Sequence, residues 1–172
     1  MEPNLNVTSV EQIEFLHQLG YGSFGLTHVA KVIGYNELQL SVKEVDPTYV
    51  NEVAGGISCM ELIMQEIGAL QGLKHPNLLR PLDMFFGNGK LYITHEYCPG
   101  GSMLQMIEEA TEPIPEFKIK HWFGQLTNAV SFLHEKQLLH CGIKPENIML
   151  TSLNQAILKL MDSGTTRMLF LK

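Results

Sequence analysis

From about Phe15 to Val45, short β-leaning segments are interrupted by GYGSFG and GYNE, which predicts a meander of strands joined by tight turns. Between Ile57 and Lys74 the apolar positions Met60, Ile63, Ile67 and Leu70 recur at steps of three and four, the spacing of an amphipathic helix. Pro76, within HPN, marks its end, because proline has no N–H for a helical bond. LLRPLDMFF and KLYITHEY read as two further strands around the turn residues GNG, and CPGGS then breaks the chain like a linker between two lobes. A longer helix is predicted over Glu116 to Glu135, with Ile119, Trp122, Phe123, Leu126, Val130 and Leu133 on one apolar stripe. Two short β-like runs, NIMLT and AILKLM, follow around a turn at SLNQ.

Composition narrows what such a chain does. Hydrophobic residues make up 45% of the 172 and charged residues 17%, as in a globular domain. A net charge of −6 with only 12 Lys and Arg argues against binding the phosphate backbone of a nucleic acid. No apolar run spans a bilayer and the first residues lack a basic-then-apolar leader, so the expectation is a cytoplasmic chain with no membrane partner. Cys59, Cys98 and Cys141 are odd in number and lack CxxC spacing, so they signal neither disulfides nor zinc. His121, His134 and His140 are too irregularly spaced for a ligand set, which leaves oxygen donors for any metal.

Candidate chemistry clusters in a few places. Gly20, Gly22 and Gly25 form GxGxxG between two β-segments, where the lack of Cβ atoms lets backbone N–H groups approach phosphate oxygens; a glycine-rich hairpin turn fits the same residues. The later strand LQLSVKEV places Lys43 on a face with Gln39 and Ser41, opposite Leu38, Leu40 and Val42. On the following helix Glu66 lies beside the buried stripe, and a carboxylate there requires a partner, for which Lys43 is the natural choice.

With GYGSFG, SVKEV, EIGALQGLKHPN, LYITHEYCPGGS, HCGIKPENIML and MDSG in this order, the chain resembles a eukaryotic protein kinase domain of the Ser/Thr type over nearly its whole length. The resemblance implies an α+β fold: an antiparallel β-rich first lobe with one key helix over about 12–97, then a hinge and a partial, mainly helical second lobe over 98–172. It also implies ATP and Mg2+ as ligands. Lys43 would contact the α- and β-phosphates and pair with Glu66, Lys144 would face the γ-phosphate, and Asn147 and Asp162 would hold Mg2+ through oxygen. The segment Glu96 to Cys98 would bind adenine through its backbone, with His95 at the back of the pocket and Met149 as its floor. Thr27 and Ser41 stand where the family usually has Val and Ala, making the adenine roof more polar.

Departures from the family pattern decide the functional expectation. The family's His-Arg-Asp is here His140, Cys141 and Gly142, so the position that accepts the substrate proton has no side chain. Ser163 replaces the Phe that normally follows the metal-binding Asp. The chain closes at Lys172 before an Ala-Pro-Glu segment, which reads as a C-terminally truncated domain. The leading expectation is a pseudokinase-like module that holds Mg-ATP and acts by binding another protein; the alternatives are a low-activity protein Ser/Thr kinase and a truncated product without a role of its own.

Overall fold

The computed structural model describes residues 6–22, 25–46, 59–152, 157–161 and 167–168. The chain divides into two compact units, Met1–Gly72 with Pro81–Tyr97, and Leu73–Arg80 with Cys98–Lys172. Antiparallel β-structure dominates the first and helices the second, the α+β pattern of a protein-kinase-like fold.

The first unit carries strands β1 (Ile13–Gly22), β2 (Gly25–Val32) and β3 (Tyr35–Val45), then helix α1 (Cys59–Gln71). Strands β5 (Pro81–Gly87) and β6 (Lys90–Glu96) complete its sheet, in the order β1-β2-β3-β6-β5. Period-two alternation sorts the side chains onto two faces. Ile13, Ala30, Val32, Leu40, Val42, Phe85 and Tyr92 form an apolar cluster on one face. On the other, Val45, Leu91 and Ile93 pack against Ile63 and Ile67 of α1, whose apolar spacing supplies the covering stripe. Two turns show why the strands end where they do. Asn88 and Gly89, at φ 50° and 75°, form a two-residue hairpin loop with both residues left-handed, a conformation that Asn-Gly favours. The turn expected at GYNE instead lies at Ile33–Gly34: Val32 pairs with Tyr35, so Tyr35, Asn36 and Glu37 begin β3.

In the second unit, β4 (Leu78–Leu79) pairs in parallel with β9 (Leu158–Met161), which also pairs with β8 (Ile148–Leu150). LLRPLDMFF is therefore two strands in two units, divided at Arg80, and Pro81 suits a strand start because it donates no ladder hydrogen bond. A short helix α2 (Met103–Glu109), not among the elements expected from periodicity, follows CPGGS, and Ser102 caps it by accepting from Gln105 N at 3.1 Å. The CPGGS segment itself is bonded structure within this unit. Gly100 N donates to Leu150 O and Leu150 N to Gly101 O, both at 2.9 Å, and a Cβ on Gly100 would lie 2.5 Å from Leu150 O.

Helix α3 (Glu116–Glu135) has the bounds its periodicity predicts, but its buried line is rotated from the expected stripe. Ala129 and Leu133 are fully buried and Trp122, Leu126 and Val130 partly so, whereas Phe123 and Ile119 are 64% and 39% exposed. Trp122, Leu126, Ala129 and Leu133 follow the steps of four, three and four that hold one face of a straight helix. This face packs on β9 and on β7 (Leu138–Leu139), which pairs with β10 (Arg167–Met168). Gln125 on the same helix accepts from Asn77 Nδ2 and Leu158 N, each at 2.8 Å. Asn77 Nδ2 also donates to Leu158 O, and Asn77 O accepts from Leu160 N, both at 2.9 Å. The HPN asparagine thus does more than follow a helix stop: it satisfies buried polar groups of β9 that would otherwise be costly.

The rotation gives a stability contrast. Leu133→Ala should cost about 2–5 kcal/mol, as a buried leucine truncation does, whereas Phe123→Ala should stay within about 0.5 kcal/mol. Urea unfolding of the two variants checks this, and equal losses would place Phe123 in the core after all.

Candidate functional site

The sheet register gathers the candidate residues of the first unit. Thr27 pairs with Lys43 and Val29 with Ser41 across β2 and β3, while Ser41 pairs with His95 and Lys43 with Ile93 across β3 and β6. Directly paired residues share a face, so Thr27, Ser41, Lys43 and His95 all lie on the face that α1 covers at Val45 and Ile93. Leu40 and Val42 are on the opposite, apolar face, as alternation requires. Glu66 falls on α1 between Ile63 and Leu70; its side chain, and with it the pairing with Lys43, lies outside the described residues.

Two of these groups are polar and poorly hydrated. Ser41 is 8% exposed and its hydroxyl donates to the backbone carbonyl of Glu96 at 3.4 Å. His95 is mostly buried; loss of hydration, followed by the Lys43 charge, pushes its imidazole down from 6.5 to about 3, so it is neutral at physiological pH. Gly20 and Gly22 close β1 and Gly25 opens β2, with Gly22 paired to Gly25 across the loop. A Cβ on Gly25 would lie 1.9 Å from Glu44 O, so no other residue fits there without moving β3.

In the second unit a set of hydrogen bonds shapes the loop from His140 to Asn147. His140, 4% exposed, has Nε2 at 3.0 Å from Met161 O, and its Nδ1 accepts from Gly142 N at 3.3 Å. A carbonyl only accepts, so Nε2 carries the proton and Nδ1 the lone pair: the ring is the neutral Nε2–H tautomer. The left-handed φ of 56° at Cys141 turns Gly142 N back toward that ring. A short 3-10 turn, Pro145–Asn147, follows, with Lys144 as its N-cap. Asn147, 4% exposed, donates from Nδ2 to Gly142 O at 2.7 Å, which turns its Oδ1 away from that carbonyl.

The remaining candidates are placed less tightly. Lys144 is exposed and 3.8 Å from Glu146, an ion pair that water weakens. Met149 sits in β8 and bridges to Ser102, and Cys98 is buried. Asp162 and Ser163 lie outside the described residues; Met161, bonded to His140, directly precedes them in sequence. Among the described residues no group of three His, Cys, Asp or Glu could hold a metal. No helix among the described residues is long and apolar enough to cross a membrane. The bonding around His140 and Asn147 is not legible from the sequence, because the partners are backbone groups that only the folded loop brings into range.

A glycine-rich turn between β1 and β2, a sheet lysine and a His/Asn-braced loop on an α+β scaffold fit a kinase-like class. The chain belongs to the protein kinase domain family, whose model matches residues 13–170. It is similar to the serine/threonine-protein kinase ATG1c of Arabidopsis thaliana, 32% identical over 153 residues that make up 88% of this chain and 20% of that protein. It is also similar to ULK3 of Mus musculus, 28% identical over 162 residues, 94% and 33% of the two chains. Nek5 of Homo sapiens is 32% identical over 162 residues, 93% and 22% of the two. The chain spans between about a fifth and a third of the length of these relatives.

The His95 environment sets a pH dependence. Because its folded value lies below the unfolded one, the unfolded chain takes up the proton first and stability falls as pH drops from about 6.5 toward 3. The loss is at most about 1.4 kcal/mol per pH unit, reduced by the ring's partial exposure. In an NMR titration the His95 ring signals should hold still from pH 8 to about 4; an inflection between 6 and 7 would contradict a buried neutral ring.

Proposed function

We propose that this chain is a pseudokinase-like module that binds ATP with Mg2+ and acts through a protein partner, with phosphoryl transfer impaired. The observation that carries this reading is the Asn147 to Gly142 hydrogen bond: the loop is braced as a phosphate-handling loop while the residue at the base position has no carboxylate. Mg2+, when bound, neutralises charge on the phosphate oxygens. In this proposal Lys43 orients the α- and β-phosphates beside Glu66, the backbone of Gly20, Gly22 and Gly25 covers them, and Lys144 meets the γ-phosphate. Asn147 and Asp162 hold the metal through oxygen, and backbone groups from Glu96 to Cys98 read the base above Met149, with His95 behind it. The two compact units are the two lobes of one kinase-like domain.

The second reading is a low-activity protein Ser/Thr kinase, favoured by the similarity to serine/threonine-protein kinases and by the charged and polar positions kept here. A general base contributes roughly a hundred- to ten-thousand-fold, so Gly142 weakens transfer more than it weakens nucleotide holding.

ATP and Mg2+ at about a hundred times Kd should stabilise the folded protein by about 2.7 kcal/mol in a thermal-shift titration, and Lys43→Met should remove that gain. No stabilisation at millimolar nucleotide would defeat the reading. With labelled ATP and a protein substrate mixture, wild type should give transfer no higher than Lys43→Met. Transfer above that background, rising further in Gly142→Asp, would establish the low-activity kinase instead.

A further inference from the structure

We propose that His75 is a proton-sensitive latch: while its ring is neutral it holds the buried Asn77 that joins α3 to β9, and a proton on the ring releases that junction. The latch lies wholly in the second unit and needs no nucleotide. His75 Nδ1 lies 3.1 Å from Asn77 N, and a backbone N–H only donates, so Nδ1 keeps its lone pair and the proton of the neutral ring sits on Nε2. Asn77 is 6% exposed, so its amide depends on that nitrogen. The same residue donates to Gln125 Oε1 at 2.8 Å and to Leu158 O at 2.9 Å, and its carbonyl accepts from Leu160 N at 2.9 Å. One ring nitrogen therefore stands behind bonds to α3 and to two residues of β9.

Protonation puts an N–H on each ring nitrogen, so Nδ1–H then meets Asn77 N–H, donor against donor. The bond is lost and a buried N–H is left unpaired, which costs more than the bond itself contributes. The surroundings do not reward the charge. His75 packs on Phe132 of α3, ring centroids 5.0 Å apart, and lost hydration holds its imidazole below the usual 6.5. The Phe132 face would favour a cation, but Lys136 already lies over that ring, 5.7 Å from its centroid, and Lys74 adjoins His75 in the chain; both oppose a second positive charge. With the Asn77 contact broken, the ring regains solvent and its ordinary affinity for a proton. The released form therefore binds the proton more tightly than the latched form, and by linkage the latch weakens as pH falls below about 6.5.

Amide exchange on the full chain, followed residue by residue by NMR and corrected for the intrinsic effect of pH on exchange, tests the latch. In wild type the protection of the Asn77 and Leu160 amides should fall from about pH 7 to about pH 5, by no more than about tenfold per unit, and the His75 ring signals should titrate below 6.5. His75→Asn keeps an acceptor in the place of Nδ1, bonding the amide two residues on, and takes up no proton, so the fall should be lost. His75→Phe keeps the packing on Phe132 but has no acceptor, so protection should be about tenfold lower at every pH. Every other histidine is common to the three proteins, so a difference between their profiles belongs to His75. A wild-type profile that is flat, or that His75→Asn reproduces, overturns the proposal, as does a His75 ring that titrates at 6.5 or above. If a variant fails to fold, the wild-type profile and ring titration decide alone.

Discussion

A neutral imidazole at His140, bonded through both nitrogens, is the constraint on which the candidate loop depends. Its Nε2–H meets Met161 O and its Nδ1 meets Gly142 N, so one buried ring ties the end of β9 to the loop. A protonated ring has no lone pair for Gly142 and burial penalises its charge, which makes neutrality a condition of this geometry. Asn147 completes the brace from the other side of Gly142. All of these contacts to position 142 use its backbone, so they survive a change of side chain. That is why a glycine can stand at the base position without the loop losing its shape.

The first unit solves a different problem, since a sheet with apolar residues on both faces must still present polar groups. Leu40 and Val42 enter one cluster, and Val45, Leu91 and Ile93 enter the other beneath α1. Ser41, Lys43 and His95 share the second face with that cluster. Two of these polar groups meet a local need: the Ser41 hydroxyl has the Glu96 carbonyl, and His95 is neutral beside Lys43. Their polarity is tolerated within an apolar face because one is bonded and the other uncharged.

The parts legible in the sequence are those governed by local periodicity. Twenty residues of amphipathic repeat located α3 to the residue, and Asn-Gly located the β5–β6 hairpin. Local pattern misled where partners lay far along the chain. Leu78 and Leu79 read as the start of the β5 strand, yet they belong to the second unit and pair there with Leu160 and Met161. Phe123 and Ile119 read as part of the apolar stripe, yet the helix face chosen by β7 and β9 runs through Ala129 and leaves both exposed. Helix α2 was missed because glycines precede it, although Ser102 and MLQMIEE carry a cap and helix-forming residues.

Residue identity by itself determined the family, the strand and helix periods, the face on which Lys43 lies and the absence of a carboxylate at Gly142. These follow from side-chain chemistry and from repeats of two and 3.6 residues, which are local properties. Tertiary structure decided the His140 tautomer, the direction of the Asn147 amide, the role of Asn77 and the capping of Glu96 by Ser41. Each of these depends on which carbonyl or amide the folded chain brings within hydrogen-bonding reach, from the same loop at Asn147 and from distant segments at His140, Asn77 and Ser41, and such partners are assigned by folding rather than by spacing along the chain.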